Sequence, residues 1–136
     1  MHHLHLNLWA VAVSALYLWF LGAAWYSPVV FARPWMAMLR LERNPSRRGS
    51  IFFAMFASLV GDLVTAFLLA HIVAWSGADT LAWGAFIGFI AWLGFFAAPN
   101  FPQGIYENRP FGVFLINNGY WLVGLVGVGM LLSVWR

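Results

Sequence analysis

Residues 80–106 read TLAWGAFIGFIAWLGFFAAPNFPQGIY, without a single Asp, Glu, Lys or Arg. A helix of about 20 apolar residues crosses a hydrocarbon core about 30 Å thick, and this run is long enough to do so. No charged residue occurs from Met1 to Ala32 either, nor from Ile51 to Gly61. Across the 136 residues, 63% are hydrophobic and 8% charged, whereas soluble domains run at about 45–50% and about 25%. A soluble core of 15.3 kDa cannot bury that excess. The surplus faces lipid, and the chain is expected to be an integral membrane protein.

Turn chemistry divides it. Pro34 and Asn44-Pro45 mark one break, Ser76-Gly77-Ala78-Asp79 a second, and Pro99-Asn100-Phe101-Pro102 with Arg109-Pro110 a third. Helices are therefore expected at about 7–31, 50–75, 80–98 and 111–135, forming a single transmembrane domain over 1–136. Each apolar run is hydrophobic all round, as lipid-exposed helices are. The first lacks a basic leader and is too long for a cleaved signal, so it reads as a retained span. The fold class is all-α, a four-helix bundle of two helical hairpins.

Charge orients it. The 31–50 loop carries Arg33, Arg40, Arg43, Arg47 and Arg48 against Glu42, and the 99–110 loop carries Arg109 beside Glu107. The positive-inside rule places both loops in the cytoplasm and both termini outside, with Arg40, Arg43, Arg47 and Arg48 against lipid headgroups. Trp9, Trp75, Trp83 and Trp135 fall at the expected outer helix ends, and Trp25, Tyr26, Trp35 and Tyr106 near the inner ends, as two interfacial belts would. The stretch Leu21–Pro28, LGAAWYSP, combines a lipid exit with a packing surface. Pro28 removes a backbone donor from the Ala24 carbonyl, Ser27 can compensate, and Gly22 admits a neighbouring helix. Leu21-Gly22 with Pro28 is echoed by Leu93-Gly94 with Pro99, and Glu42-Arg43-Asn44-Pro45 by Glu107-Asn108-Arg109-Pro110, the pattern of a duplicated hairpin.

Two segments carry a resemblance. GAAWYSPVVFARPW (22–35) and FLINNGYWLVGLVGVGMLLSVWR (114–136) are similar to the two ends of a bacterial family of small four-helix membrane proteins, the family of domain of unknown function 1761. Its most specific parts here are Trp25-Tyr26-Ser27-Pro28 and Asn117, Gly119, Tyr120 and Trp121. Asn100, before the Glu107-Asn108-Arg109 turn, also fits. The resemblance covers about Trp9 to Arg136 and implies a four-helix fold and no established activity. Asp62 belongs to no family-wide pattern.

Asp62 is the most costly residue, since a charge at mid-span costs about 2.5–3.5 kcal/mol on insertion scales. Ser58 and Thr65 share its helix face, and Tyr17, Asn117 and Asn118 lie at neighbouring depths. Together they are expected to form a polar ladder, as interhelical glue or as a proton path. Gly84 and Gly88 form a GxxxG pair; with Gly22 and Gly124 they mark helix-contact faces. Gly124-Leu125-Val126-Gly127-Val128-Gly129 lacks the strand and lysine of a phosphate loop. His2 and His3, with a free amino terminus, are candidates for a planar Cu or Ni site, and His71 is a candidate axial ligand of a tetrapyrrole. No cofactor is otherwise expected.

Without cysteine or lysine, thiolate and Schiff-base chemistry are excluded, and no nucleophile–base pattern is present. Five clustered arginines on a membrane chain point to lipid, so nucleic acid is not an expected partner. The expectation is a non-enzymatic component of the bacterial cytoplasmic (inner) membrane. It would act as a self-associating oligomer or as an accessory subunit beside other membrane subunits. The alternatives are an oligomeric small-solute or proton-coupled transporter or channel using Asp62, and a His-ligated tetrapyrrole or metal-binding protein.

Overall fold

The computed structural model describes residues 4–39 and 48–135, the side chains of 48–50 excepted. Among these residues there is no strand, and four helical stretches are long and apolar enough to cross a membrane: Leu8–Trp25, Ile51–Ser76, Leu81–Tyr106 and Phe111–Val134. Helix α1 (Leu8–Trp25) starts at Asn7, whose side-chain oxygen accepts from the N–H groups of Trp9 (3.0 Å) and Ala10 (3.3 Å). An asparagine at that position satisfies donors that a helix start otherwise leaves open.

The first span is shorter than expected. It ends at Trp25 rather than near residue 31, because Pro28 cannot continue the ladder. Ser27 Oγ closes the end by donating to the Ala24 carbonyl at 2.7 Å. The chain folds back as the Phe31 N–H reaches the Trp25 carbonyl at 3.2 Å. It then forms a short helix, α2 (Ala32–Leu39), where a loop was expected. Pro34 lies in the first turn of α2, where a missing N–H breaks no intrahelical bond. Ala32, Trp35 and Met38 turn towards the protein while Arg33, Pro34 and Ala37 are exposed.

Helix α3 (Arg48–Ser76) stops at Gly77, which takes a left-handed φ of 71° that costs other residues about 1–2 kcal/mol. Thr80 then caps α4 (Leu81–Trp92), its Oγ1 accepting from the Trp83 N–H at 3.2 Å.

The third span is longer than expected. The stretch 99–102 is helical, because one wide π-helical turn, Leu93–Ala97, precedes it. There the Ala98 N–H reaches back five residues to the Leu93 carbonyl, which shifts the register just before Pro99 and relieves its clash with the preceding turn. The helix continues as α5 (Ala98–Tyr106), with Pro102 inside it. Asn108 (φ 53°) ends α5 as a left-handed cap. Its N–H bonds Ile105 at 3.1 Å and that of Arg109 bonds Gly104 at 2.9 Å, the paired bonds of a Schellman motif. Pro110 follows, and α6 (Phe111–Val134) begins.

Helix α6 is the hub: α1, α2, α3, α4 and α5 all pack on it, α4 most extensively. The α4–α6 contact is backbone on backbone. A Cβ on Gly84 would meet the Gly129 carbonyl, and one on Gly88 the Leu125 carbonyl, so only glycine permits this approach. Ala10, Leu18, Ala66, Leu69, Val73, Leu125 and Val128 fill the core between α1, α3 and α6. Leu6, Asn7, Ala70, Leu132 and Trp135 surround one cavity, which brings the start of α1 near the end of α6.

Candidate functional site

Asn117 and Asn118 lie in the second turn of α6, about 9 Å from its start at 1.5 Å per residue. Their amides are oriented by partners with only one role to play. The Trp35 indole N–H, a donor only, reaches Asn117 Oδ1 at 3.0 Å, and the Tyr26 hydroxyl donates to the same oxygen at 2.7 Å. Burial pushes the Tyr26 hydroxyl up to about 12, so it stays protonated and can donate. Asn118 Nδ2 donates to the Phe114 carbonyl at 3.0 Å, an acceptor only, which turns Asn118 Oδ1 towards Asn100 Nδ2 at 3.2 Å. Two functions are left without partners among the described residues: the Asn117 amide N–H₂ and the Asn100 carbonyl oxygen.

Indoles complete the centre. Trp25 Nε1 donates to the Ile116 carbonyl (2.9 Å) and Trp92 Nε1 to the Asn118 carbonyl (2.8 Å). A Cβ on Gly119 would lie 3.2 Å from the Trp25 ring, so the glycine lets the indole cross α6. Trp25, Tyr26 and Trp35, expected as headgroup anchors, spend their polar atoms on α6 instead. The reason is that a buried ring donor must find an acceptor. Trp9, Trp75 and Trp83, at the opposite end, are 78%, 69% and 57% exposed and free to meet an interface.

One turn deeper, two tyrosines exchange places. Tyr17 on α1 donates to the Val123 carbonyl of α6 at 3.0 Å, and Tyr120 on α6 donates to the Leu18 carbonyl of α1 at 2.8 Å. Gly22 is the seat of the Tyr120 ring, and Gly124 that of Leu18.

The expected polar ladder is not one path. Asn117 and Asn118 join the amide centre, Tyr17 bonds a backbone carbonyl, Ser58 faces outward and Thr65 is half-buried. Asp62 is buried (4% exposed), yet among the described residues it forms no hydrogen bond with any of them. Ser14, fully buried on α1, has a hydroxyl with no hydrogen-bond partner among the described residues. His71 Nδ1 lies 2.8 Å from the Phe67 carbonyl, and its ring packs on Phe67 and Trp75. His2, His3, Arg40, Arg43 and Arg47 lie outside the described residues, as does the side chain of Arg48.

Beside the amide centre is a cavity of about 200 Å³ between α5, the 107–110 turn and the first turns of α6. Asn100, Gln103, Glu107, Arg109 and Asn117 contribute its polar wall, and Phe101, Phe111 and Phe114 an aromatic one.

The family model described as "Protein of unknown function (DUF1761)" matches residues 9–133. The chain belongs to this family. No curated protein and no solved structure matches it. The residues on which the DUF1761 resemblance rests come from both ends of the chain and meet at the amide centre. Tyr26 bonds Asn117, Trp25 crosses Gly119, and Asn100 bonds Asn118. The Tyr120 ring lies 5.9 Å from Tyr26 and 4.9 Å from Trp121. Sequence reading did not foresee this convergence. The available signal was the number of indole donors in a chain with few polar acceptors.

Proposed function

We propose that this DUF1761 protein is a non-catalytic component of the bacterial cytoplasmic membrane, working by self-association through α3. The single observation behind the proposal is an unfilled stripe of small residues. Ala54, Ala57, Ser58 and Gly61 fall within about 100° of arc on a helix turning 100° per residue, and all four are exposed. A Cβ added to Gly61 would meet nothing within 4 Å. The buried face of α3, carrying Asp62, Ala66, Leu69 and Val73, lies about a quarter-turn away. Only 11% of the most apolar stretch of α3 is buried within the chain, against 39% of that of α6.

Gly84 and Gly88 do not serve this association, because they are spent on α6 within the chain. Small residues at spacings of three and four let helices approach closely in lipid, where dispersion and not hydrophobicity drives association. The arrangement we favour in the membrane is two helical hairpins with both termini outside and the arginine-rich loop in the cytoplasm.

Native mass spectrometry after gentle extraction from the membrane tests the proposal. A dimer or higher homo-oligomer is expected, reduced to single chains by Gly61→Leu and Ala57→Leu. A mass unchanged by both substitutions overturns it, and a heteromeric mass would make the chain an accessory subunit. The buried Asp62, with no hydrogen bond among the described residues, favours a second reading, a proton-coupled transporter. That reading requires a pH-dependent flux in proteoliposomes that Asp62→Asn abolishes.

A further inference from the structure

The cavity beside the amide centre has unspent polar groups of both kinds. Gln103 Nε2 donates to Glu107 Oε1 at 3.0 Å, which leaves Gln103 Oε1 without a partner among the described residues, and Arg109 Nε meets Glu107 Oε2 at 2.6 Å. The four outer N–H groups of the Arg109 guanidinium have no partner among the described residues, and that side chain is 49% exposed. Donors are therefore available at Arg109 and at the Asn117 amide nitrogen, and acceptors at Asn100 Oδ1 and Gln103 Oε1. One carboxylate and one guanidinium stand together on the rim, so the wall is neutral overall and strongly polarised. Such a wall matches neither a simple anion, which Glu107 repels, nor a simple cation, which Arg109 repels. It matches a molecule carrying both charges a short distance apart.

The volume narrows the class further. Drug-sized ligands occupy about 300–1,000 Å³, so about 200 Å³ takes a small polar head and not a large body. Phe101 and Phe111 are cavity-lining residues that are 49% and 58% exposed. They give the site an apolar lip at the end of two membrane-spanning stretches, where the tails of an amphiphile would lie.

We propose that this cavity binds a zwitterionic phosphate–ammonium ester. The phosphate would sit on Arg109 and the Asn117 amide, and the ammonium on Glu107, Gln103 and Asn100. The ester is either the headgroup of phosphatidylethanolamine or free phosphoethanolamine. A guanidinium recognises phosphate oxygens through several N–H donors at once. A primary ammonium supplies three N–H donors for the three oxygens opposite. A trimethylammonium has the same charge and supplies none, so phosphatidylcholine should be discriminated against.

The test is lipid titration of the delipidated full chain in detergent, read by native mass spectrometry. The probes are dioleoyl phosphatidylethanolamine, phosphatidylcholine and phosphatidylglycerol, and free phosphoethanolamine. Phosphatidylethanolamine should be retained about tenfold more tightly than the other two lipids, the scale of one lost charged hydrogen bond. Arg109→Gln should weaken it by about tenfold, and Glu107→Gln should erase its advantage over phosphatidylcholine. Both side chains are exposed at a helix cap held by backbone bonds, so neither change threatens folding. Equal retention of the three lipids, or no effect of Arg109→Gln, overturns the proposal. Displacement of the lipid by the free ester shows that the head alone is read. Binding of the free ester without the lipid makes the soluble molecule the occupant.

Discussion

Asn117 illustrates how much a single polar residue decides in an apolar chain. Its oxygen accepts from Tyr26 and Trp35, so removing it leaves two ring donors without their acceptor. Polar bonds between membrane helices average about 0.6 kcal/mol, but an unmet donor away from water costs about 1–3 kcal/mol. Asn117→Leu is therefore expected to lower the unfolding free energy in mixed detergent by about 2 kcal/mol, and Asn117→Asp, which keeps an acceptor, by clearly less. Equal losses would show that the oxygen is not what matters. Asp62 should behave oppositely. It carries a charge cost of about 2.5–3.5 kcal/mol at mid-span and has no hydrogen bond among the described residues to lose, so Asp62→Asn should leave stability unchanged or raise it. A large loss in the same assay would reveal a partner beyond the described residues. At Asn108, the left-handed backbone (φ 53°) predicts that Asn108→Val costs about 1–2 kcal/mol while Asn108→Gly is tolerated.

Among the elements, α4 and α6 depend most on glycine. Gly84 and Gly129 face each other so closely that a Cβ on either meets the other's carbonyl. Backbone cannot swing aside as a side chain can, so Gly84→Leu should abolish the folded species, seen as loss of a single peak in size-exclusion chromatography. Gly104 provides the contrast: a Cβ there meets nothing within 4 Å. Gly104→Ala should raise the stability of α5 by up to about 1 kcal/mol, the helix preference of alanine over glycine. Should Gly104→Ala be as damaging as Gly84→Leu, close packing is not what separates the two sites. The prolines make a related point. Pro28 ends α1, whereas Pro99 is carried within a continuous span because a π turn precedes it. The two motifs look alike in sequence and do different things.

For the whole molecule, the arrangement in the bilayer is directly testable because the chain has no cysteine. With single-cysteine probes, Asp79→Cys should react with an impermeant reagent added to intact cells, and Glu107→Cys only once the cells are opened. Labelling of both from one side would overturn the arginine-based orientation. The hub arrangement also predicts an order of damage. Substitutions that bury poorly on α6 should unfold every span together, while those on the outer face of α3 should alter only particle size.

Composition and uncharged run length determined, before any tertiary information, that the chain crosses a bilayer and about where each span lies. Lipid rejects charge and unpaired backbone alike, so those signals are local and additive along the sequence. Span ends at Trp25 and Tyr106 were not legible, because they depend on how a proline is accommodated by its neighbours. The roles of Trp25, Tyr26 and Trp35 were not legible either. A ring with a polar tip suits a headgroup layer and a buried acceptor equally well, and only the packing of α1 and α2 on α6 chooses between them. The same holds for the glycines. A small residue permits close approach, but whether its partner is another part of this chain or a second molecule is decided by which faces the fold has already used.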